Sequence, residues 1–261
     1  MIKALFFDID GTLVSFRTHS VPASTVGALT AAHEAGVRIF ISTGRPAPLI
    51  NNLDPILHLI DGYITVNGAI CTVGGQTISR TPIDPEDVRT ILGAADRWGV
   101  PSLIVGEDRA IVHNHRPIVD QVFGGMLAIK GIDTRTTTEE MLSRPVYQLT
   151  PFFDEAQEAA VVPLLRHAES ARWCEYFSDV ISSEADKGRG MEIIAAHEGI
   201  STAECMAFGD GGNDIPILRR VGTGVAMGNA GVTVKAAADY ITDNIDAGGV
   251  ANALRHFGVI A

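Results

Sequence analysis

The chain has 261 residues, 46% of them hydrophobic and 20% charged, with a formal net charge of −11. That balance suits a soluble globular α/β protein rather than a disordered one and argues against a nucleic-acid backbone as the main partner. The three cysteines, at 71, 174 and 205, form no short metal-binding spacing and no even disulfide set, so a reducing cytoplasm is the expected compartment. Too few apolar residues precede Asp8 for a signal-peptide core, and no stretch approaches the ~18 apolar residues of a membrane span.

Residues 2–7 are a short apolar run that reads as a buried strand, and it ends in Asp8-Ile9-Asp10-Gly11-Thr12. Residues 24–35 read as an amphipathic helix with Gly36 as its stop. Residues 37–41 are a second strand, ending in Ser42-Thr43-Gly44-Arg45, and Pro46 suits the first turn of another helix. Residues 64–66 form a third strand before Asn67-Gly68. This alternation is the pattern of a parallel sheet.

The pattern then changes. Residues 69–73 and 76–80, joined by Gly74-Gly75, read as a hairpin. Asp84 is the expected N-cap of a helix with Pro85 at its first position and Ile83 and Val88 as a hydrophobic staple. Residues 102–105 and 109–112 read as another hairpin. A strand at 147–153, a helix at 154–168 and a strand at 172–177 follow. From Lys187 the first pattern resumes, with a helix at 188–198 and an apolar run at 205–208 that ends in Gly209-Asp210-Gly211-Gly212-Asn213-Asp214. A further helix, a strand at 224–227, an edge strand at 238–241 and a final helix at 248–257 complete the chain. The expected organisation is an α/β core domain at 1–81 and 184–261, split by an inserted α+β domain at 82–183.

Three apolar runs thus end in polar, Gly-containing turns, at Asp8/Asp10, at Thr43/Gly44/Arg45 and at Asp210/Asn213/Asp214. In a parallel sheet the carboxyl ends of all strands share one edge, and ligands bind there where the strand order reverses. Segments some 200 residues apart can therefore converge. Crowded carboxylates suit a hard cation such as Mg²⁺, and Thr43 and Lys187 can donate to phosphate oxygens. A calcium-loop reading of Asp-x-Asp-Gly fails, because Leu13 stands where the required glycine belongs. Gly222-x-Gly224-x-x-x-Gly228 departs from the dinucleotide pattern and reads as strand-end turns.

At these positions the chain resembles the haloacid dehalogenase superfamily of phosphohydrolases. Asp8-Ile9-Asp10-Gly11-Thr12 matches the first motif, Thr43 the second, Lys187 the third and the 209–214 turn the fourth. Ser42–Pro46, Val66-Asn67-Gly68-Ala69, Val225-Ala226-Met227-Gly228-Asn229-Ala230 and the tail from Ala238-Asp239 to Gly249-Val250 are similar to the Cof-type phosphatases within it. The resemblance implies a Rossmann-like parallel-sheet core with an α/β cap. It further implies Asp8 as nucleophile and Asp10 as general acid and base. Mg²⁺ would lie among Asp8, the Asp10 carbonyl, Asp210 and Asp214. Thr43, Gly44, Arg45, Asn67, Lys187 and Asn213 would serve the phosphate or its leaving group. The implied partner is a small phosphorylated molecule, a sugar phosphate foremost. An acid at position 10 separates phosphatases and phosphomutases from dehalogenase members, which need no leaving-group acid. A receiver-like regulatory domain is the rival of another class, but it lacks a second carboxylate two residues after the phospho-acceptor.

Overall fold

The structure is a computed structural model and describes residues 1–126 and 130–261. The chain divides into two compact units. One holds Met1–Gly44, Asn51–Arg80 and Asp186–Ala261, and the other holds Arg45–Ile50 and Thr81–Ala185.

The first unit begins with β1 (Ala4–Phe7), in which all four apolar residues are buried. Continuous apolar sequence, rather than alternation, is what a parallel strand covered on both faces requires. Helix α1 (Ala23–Glu34) buries Thr25, Ala28, Leu29 and Ala32, and the chain leaves it through Gly36 at φ 83°. Strands β2 (Arg38–Ser42) and β3 (Gly62–Thr65) follow. Between them the helix expected at Pro46 is replaced by a 3-10 turn, Ala47–Leu49, with Pro46 extended before it, and a second 3-10 segment, Asp54–Leu59, follows. Ile50 after the first turn is extended, at φ −76° and ψ 125°, so that turn is not continued into a helix. Strands β4 (Ile70–Val73) and β5 (Gln76–Arg80) form the expected hairpin, with Gly74 and Gly75 at φ 55° and 77°. Positive φ at both turn residues matches the twist of a two-residue hairpin.

The second unit opens with α2 (Pro85–Trp98), where Asp84 caps the Glu86 N–H at 2.7 Å and Gly99 ends the helix at φ 64°. Ile83 and Val88 are both buried, as a hydrophobic staple demands. Strands β6 (Ser102–Val105) and β7 (Ala110–His113) pair antiparallel. The short helix α3 (Pro117–Val119), a π-helical segment Asp120–Met126 and α4 (Thr138–Leu142) precede β8 (Gln148–Pro151). Helix α5 (Glu155–Val161) is capped by Asp154 and stops short of residue 168, because Pro163 sits in the 3-10 turn Val162–Leu164 that ends it. In place of one strand at 172–177 there is a hairpin, β9 (Ala168–Cys174) with β10 (Phe177–Ser182). The strand order is β7-β6-β8-β10-β9. Its helix-covered face packs Val88, Ile91, Leu92 and Ala95 against Ile104, Ile111, Leu149 and Val180.

The first unit resumes with α6 (Lys187–His197), capped by Asp186, and β11 (Cys205–Gly209). Then come α7 (Ile215–Arg220), β12 (Thr223–Ala226), α8 (Val232–Lys235), β13 (Tyr240–Ile241) and α9 (Gly249–His256). Its sheet runs β13-β12-β11-β1-β2-β3-β4-β5, parallel from β13 to β3 and antiparallel in the last hairpin. β1 lies between β11 and β2, with Phe7 level with Phe208 on one side and Ile41 on the other. The residues that follow these three strands therefore leave the sheet side by side, where strand order reverses.

Candidate active site

Asp8 is the first residue beyond β1. Its N–H still bonds the Phe208 carbonyl at 3.1 Å, so the sheet fixes its backbone. Its side chain is nearly buried, at 8% exposure. Gly11 then turns the chain at φ 84°, and a Cβ there would stand 2.2 Å from Asp210 Oδ2. Glycine is required at this point twice over, for its backbone conformation and for the close approach of a carboxylate.

Lys187, at the first position of α6, is fully buried. Its ammonium donates to Asp8 Oδ1 at 2.7 Å and to Asp214 Oδ1 at 2.6 Å. The second oxygen of Asp214 accepts the N–H groups of Asp210 (3.0 Å) and Gly211 (2.9 Å). Asp214 thus holds both the lysine and the turn after β11. Asp210 is held at each oxygen by a neutral donor: Thr12 Oγ1 donates to Oδ1 at 3.0 Å and Asn229 Nδ2 to Oδ2 at 3.2 Å. Oxygens of Asp8, Asp210 and Asp214 lie within 4.8 Å of one another.

Burial is the largest influence on Asp8 and pushes its carboxyl up to about 8; Lys187 opposes this, while Asp214 and Asp210 add to it. Burial likewise lifts Asp210 to about 6, with Asp214 and, more weakly, Asp10 adding to the rise and Thr12 opposing it. Burial favours the neutral form of Lys187, but Asp214 and Asp8 overcome it and raise the ammonium above its ordinary range. Three acidic groups face one ammonium, so the pocket lacks positive charge when they ionise. Oxygen donors of this kind fit a hard divalent cation. Asp8 and Asp210 are the better-placed ligands, because Asp214 gives one oxygen to the Lys187 ammonium and the other to two backbone N–H groups, whereas each oxygen of Asp210 meets one neutral donor.

A second knot forms beyond β2 and β3. Thr43 is buried; its N–H bonds the Ile64 carbonyl at 2.8 Å and its carbonyl accepts the Asn67 N–H at 3.0 Å. Asn67 is left-handed, at φ 51° and ψ 34°, and accepts a bond from Asn213 Nδ2 at 2.9 Å. A Cβ on Gly44 would stand 3.1 Å from Asn67 Oδ1. Val66 before it also has φ 51°, a conformation a β-branched residue adopts at a cost of roughly 1–3 kcal/mol. Gly68 completes the turn against α6, where an added Cβ would stand 2.2 Å from the Asp186 carbonyl, one residue before Lys187.

The structure therefore brings Asp8, Asp210, Asp214 and Lys187 into direct contact, and gathers Thr43, Gly44, Asn67 and Asn213 around one turn. Asp10 is half-buried between Asp8 and the Gly11 turn. Arg45 opens the Arg45–Ile50 segment, which belongs to the second unit. Thr12 and Asn229 carry contacts to Asp210 that the sequence reading assigned to neither. The Gly228-Asn229 pair after β12 was the available signal, since an Asn in a strand-end turn often bonds nearby backbone.

A parallel sheet with this acidic cluster and buried lysine at its carboxyl edge defines an enzyme of the HAD fold. Two solved structures share it over nearly their whole length. The HAD subclass IIB sugar phosphatase BT4131 is 46% identical, with a TM-score of 0.90 and 99% of this chain and 100% of that one covered. The phosphatase BT1666 from Bacteroides thetaiotaomicron is 37% identical, with a TM-score of 0.88 and coverage of 100% and 96%. YkrA of Bacillus subtilis (strain 168), which is named as a phosphatase, is 30% identical over 262 residues, covering 99% of this chain and 98% of its own. The chain belongs to the haloacid dehalogenase-like hydrolase family, whose pattern it matches over residues 5–254.

Proposed function

We propose that the protein is a Mg²⁺-dependent phosphatase that hydrolyses small phosphate monoesters, sugar phosphates foremost, through an aspartyl-phosphate. The observation that carries this reading is the Lys187 bridge between Asp8 and Asp214 at the sheet edge, 2.7 and 2.6 Å long. It sets a cation against the nucleophile in a pocket whose burial favours the neutral carboxyl, and so opposes that rise. Asp8 and Asp210, with the Asp10 carbonyl, would hold the metal, and Asp214 would orient Lys187 and the turn behind it. Mg²⁺, when bound, offsets the charge repulsion between a carboxylate nucleophile and a phosphate dianion.

The residues then divide the work. An oxygen of Asp8 attacks phosphorus as the bond to the leaving oxygen breaks, and Asp10 gives that oxygen its proton. Asp10 next takes a proton from water, the water oxygen attacks phosphorus, and the Asp8–phosphoryl bond breaks to return the free carboxylate. Lys187, Thr43 and the amides near Gly44 hold the transferring group. Arg45, Asn67 and Asn213 serve the phosphate or the leaving group. Residues 82–183 act as the family's cap and supply selectivity for the leaving group. The identity of the sugar phosphatase neighbour supports that substrate class.

The test is phosphate release from p-nitrophenyl phosphate and from a panel of sugar phosphates, with Mg²⁺ present. Wild type is expected to hydrolyse both and Asp8→Asn to be nearly inactive; equal rates for the two proteins would refute the assignment of the nucleophile.

A further inference from the structure

The motif around Asn229 has no part in the chemistry above, yet its side chain joins three segments. Asn229 Nδ2 donates to the Gly11 carbonyl at 2.8 Å and to Asp210 Oδ2 at 3.2 Å. Its Oδ1 accepts the Ile245 N–H at 3.1 Å. An amide has one accepting end and one donating end. The Ile245 N–H can only donate, and the Gly11 carbonyl can only accept. The orientation of the amide is therefore fixed, with both its protons turned toward the loop after β1 and toward Asp210.

The turn that orients Asn229 also grips that loop a second time. Asp246, the next residue after Ile245, accepts from Ser15 Oγ at 2.8 Å and from Arg17 Nε at 3.2 Å. Gly11 lies so near Asp210 that it has no room for a Cβ. A shift of either partner would move the other, and the Asn229 amide is the group that bonds both.

We propose that Asn229 is a positioning residue: it sets the Asp210 carboxylate for metal binding and registers it against the loop that carries Asp8 and Asp10. This rests on the reading of Asp210 as a metal ligand. Groups that orient metal ligands typically change metal affinity or activity by roughly 10–100-fold when removed.

The experiment measures Mg²⁺ binding to the whole protein by calorimetry without substrate, and phosphate release against Mg²⁺ concentration. Four proteins are compared: wild type, Asn229→Ala, Asp210→Asn and Asn252→Ala. Asn252 donates to Asp243 and to the Ala247 carbonyl in the same turn region but does not touch Asp210, so it reports on loosening of that region alone. The expected result is a Kd for Mg²⁺ raised about 10–100-fold in Asn229→Ala. Asn252→Ala keeps the wild-type Kd, and kcat of Asn229→Ala recovers at saturating Mg²⁺. Circular dichroism checks the fold, and Asn229→Ser replaces the alanine variant if that one does not fold. A wild-type Kd in Asn229→Ala with binding lost in Asp210→Asn overturns the role of Asn229 and leaves the metal reading intact. An equal loss of affinity in Asn252→Ala overturns it as well. A wild-type Kd in Asp210→Asn overturns both.

Discussion

Replacing Lys187 with methionine keeps the length and packing of the side chain and removes its charge. Each of its contacts, at 2.7 and 2.6 Å, represents about 6 kcal/mol of gross attraction at an effective dielectric of ~20. Most of that is offset by the cost of burying the ions, so the net measure is the penalty for leaving two carboxylates without their cation, about 3–5 kcal/mol. For a protein of this size each kcal/mol shifts Tm by about 2–4 °C, which gives an expected loss of roughly 6–20 °C at neutral pH. The sign of the pH dependence follows from Asp8. Its folded pKa, already raised from 3.8 to about 8, rises further when the opposing ammonium goes. A carboxyl raised in the folded state is at no disadvantage below its unfolded pKa, and stability is lost as pH climbs toward the folded value. Lys187, raised in turn, stays charged across this window and stabilises wild type throughout. On the Asp8 carboxyl the two proteins lose stability in step until pH nears about 8, where wild type levels off and Lys187→Met does not, so the gap in Tm should widen from pH 7 to pH 9. Thermal unfolding followed by circular dichroism at both pH values, without added metal, measures it. A gap that is the same at both pH values, or below about 2 °C at pH 9, would refute the account of Lys187 as the counter-charge of the pocket.

Three further outcomes are expected. Asp10→Asn should bind a non-hydrolysable phosphate analogue within a few-fold of wild type while its kcat falls by about 10²–10⁴; unchanged turnover in stopped assays would remove Asp10 from proton transfer. Gly11→Ala forces a left-handed alanine and a contact with Asp210 Oδ2, so it should lose at least about 1 kcal/mol of stability in urea titration together with Mg²⁺ affinity. Mg²⁺ at about 100 times its Kd should add about 2.7 kcal/mol, read as a Tm rise of roughly 5–10 °C that EDTA reverses and Asp210→Asn lacks.

Much of the first unit was legible because its strands are continuous apolar runs that stop at polar, Gly-containing turns. The acids of two such turns, after β1 and β11, meet because those strands are neighbours in register. The second unit was less legible for a local reason. Residues 168–174 carry Glu169, Ser170 and Arg172 and show no apolar alternation. They become β9 through pairing with β10, with Arg172 held by Glu158 at 2.6 Å, and neither partner is visible in a short window. Val66 reads as the end of a strand, yet it has a positive φ and opens the turn in which Gly68 packs on α6. Asn229 belongs to a motif visible in the sequence, but its contacts are to Gly11 and Asp210, distant in sequence.

The central place of β1 bears on how the protein comes to exist in a cell. Ala4 on β1 pairs on one side with Arg38 and on the other with Cys205. On a ribosome adding about 5–20 residues per second, the second partner emerges roughly 10–40 s after β1 itself. Through that interval the most apolar strand of the sheet has an open edge next to two carboxylates that have no lysine beside them. The nascent chain is thus exposed to mispairing at the segment that will later carry the chemistry, and a holding chaperone would find its natural grip there.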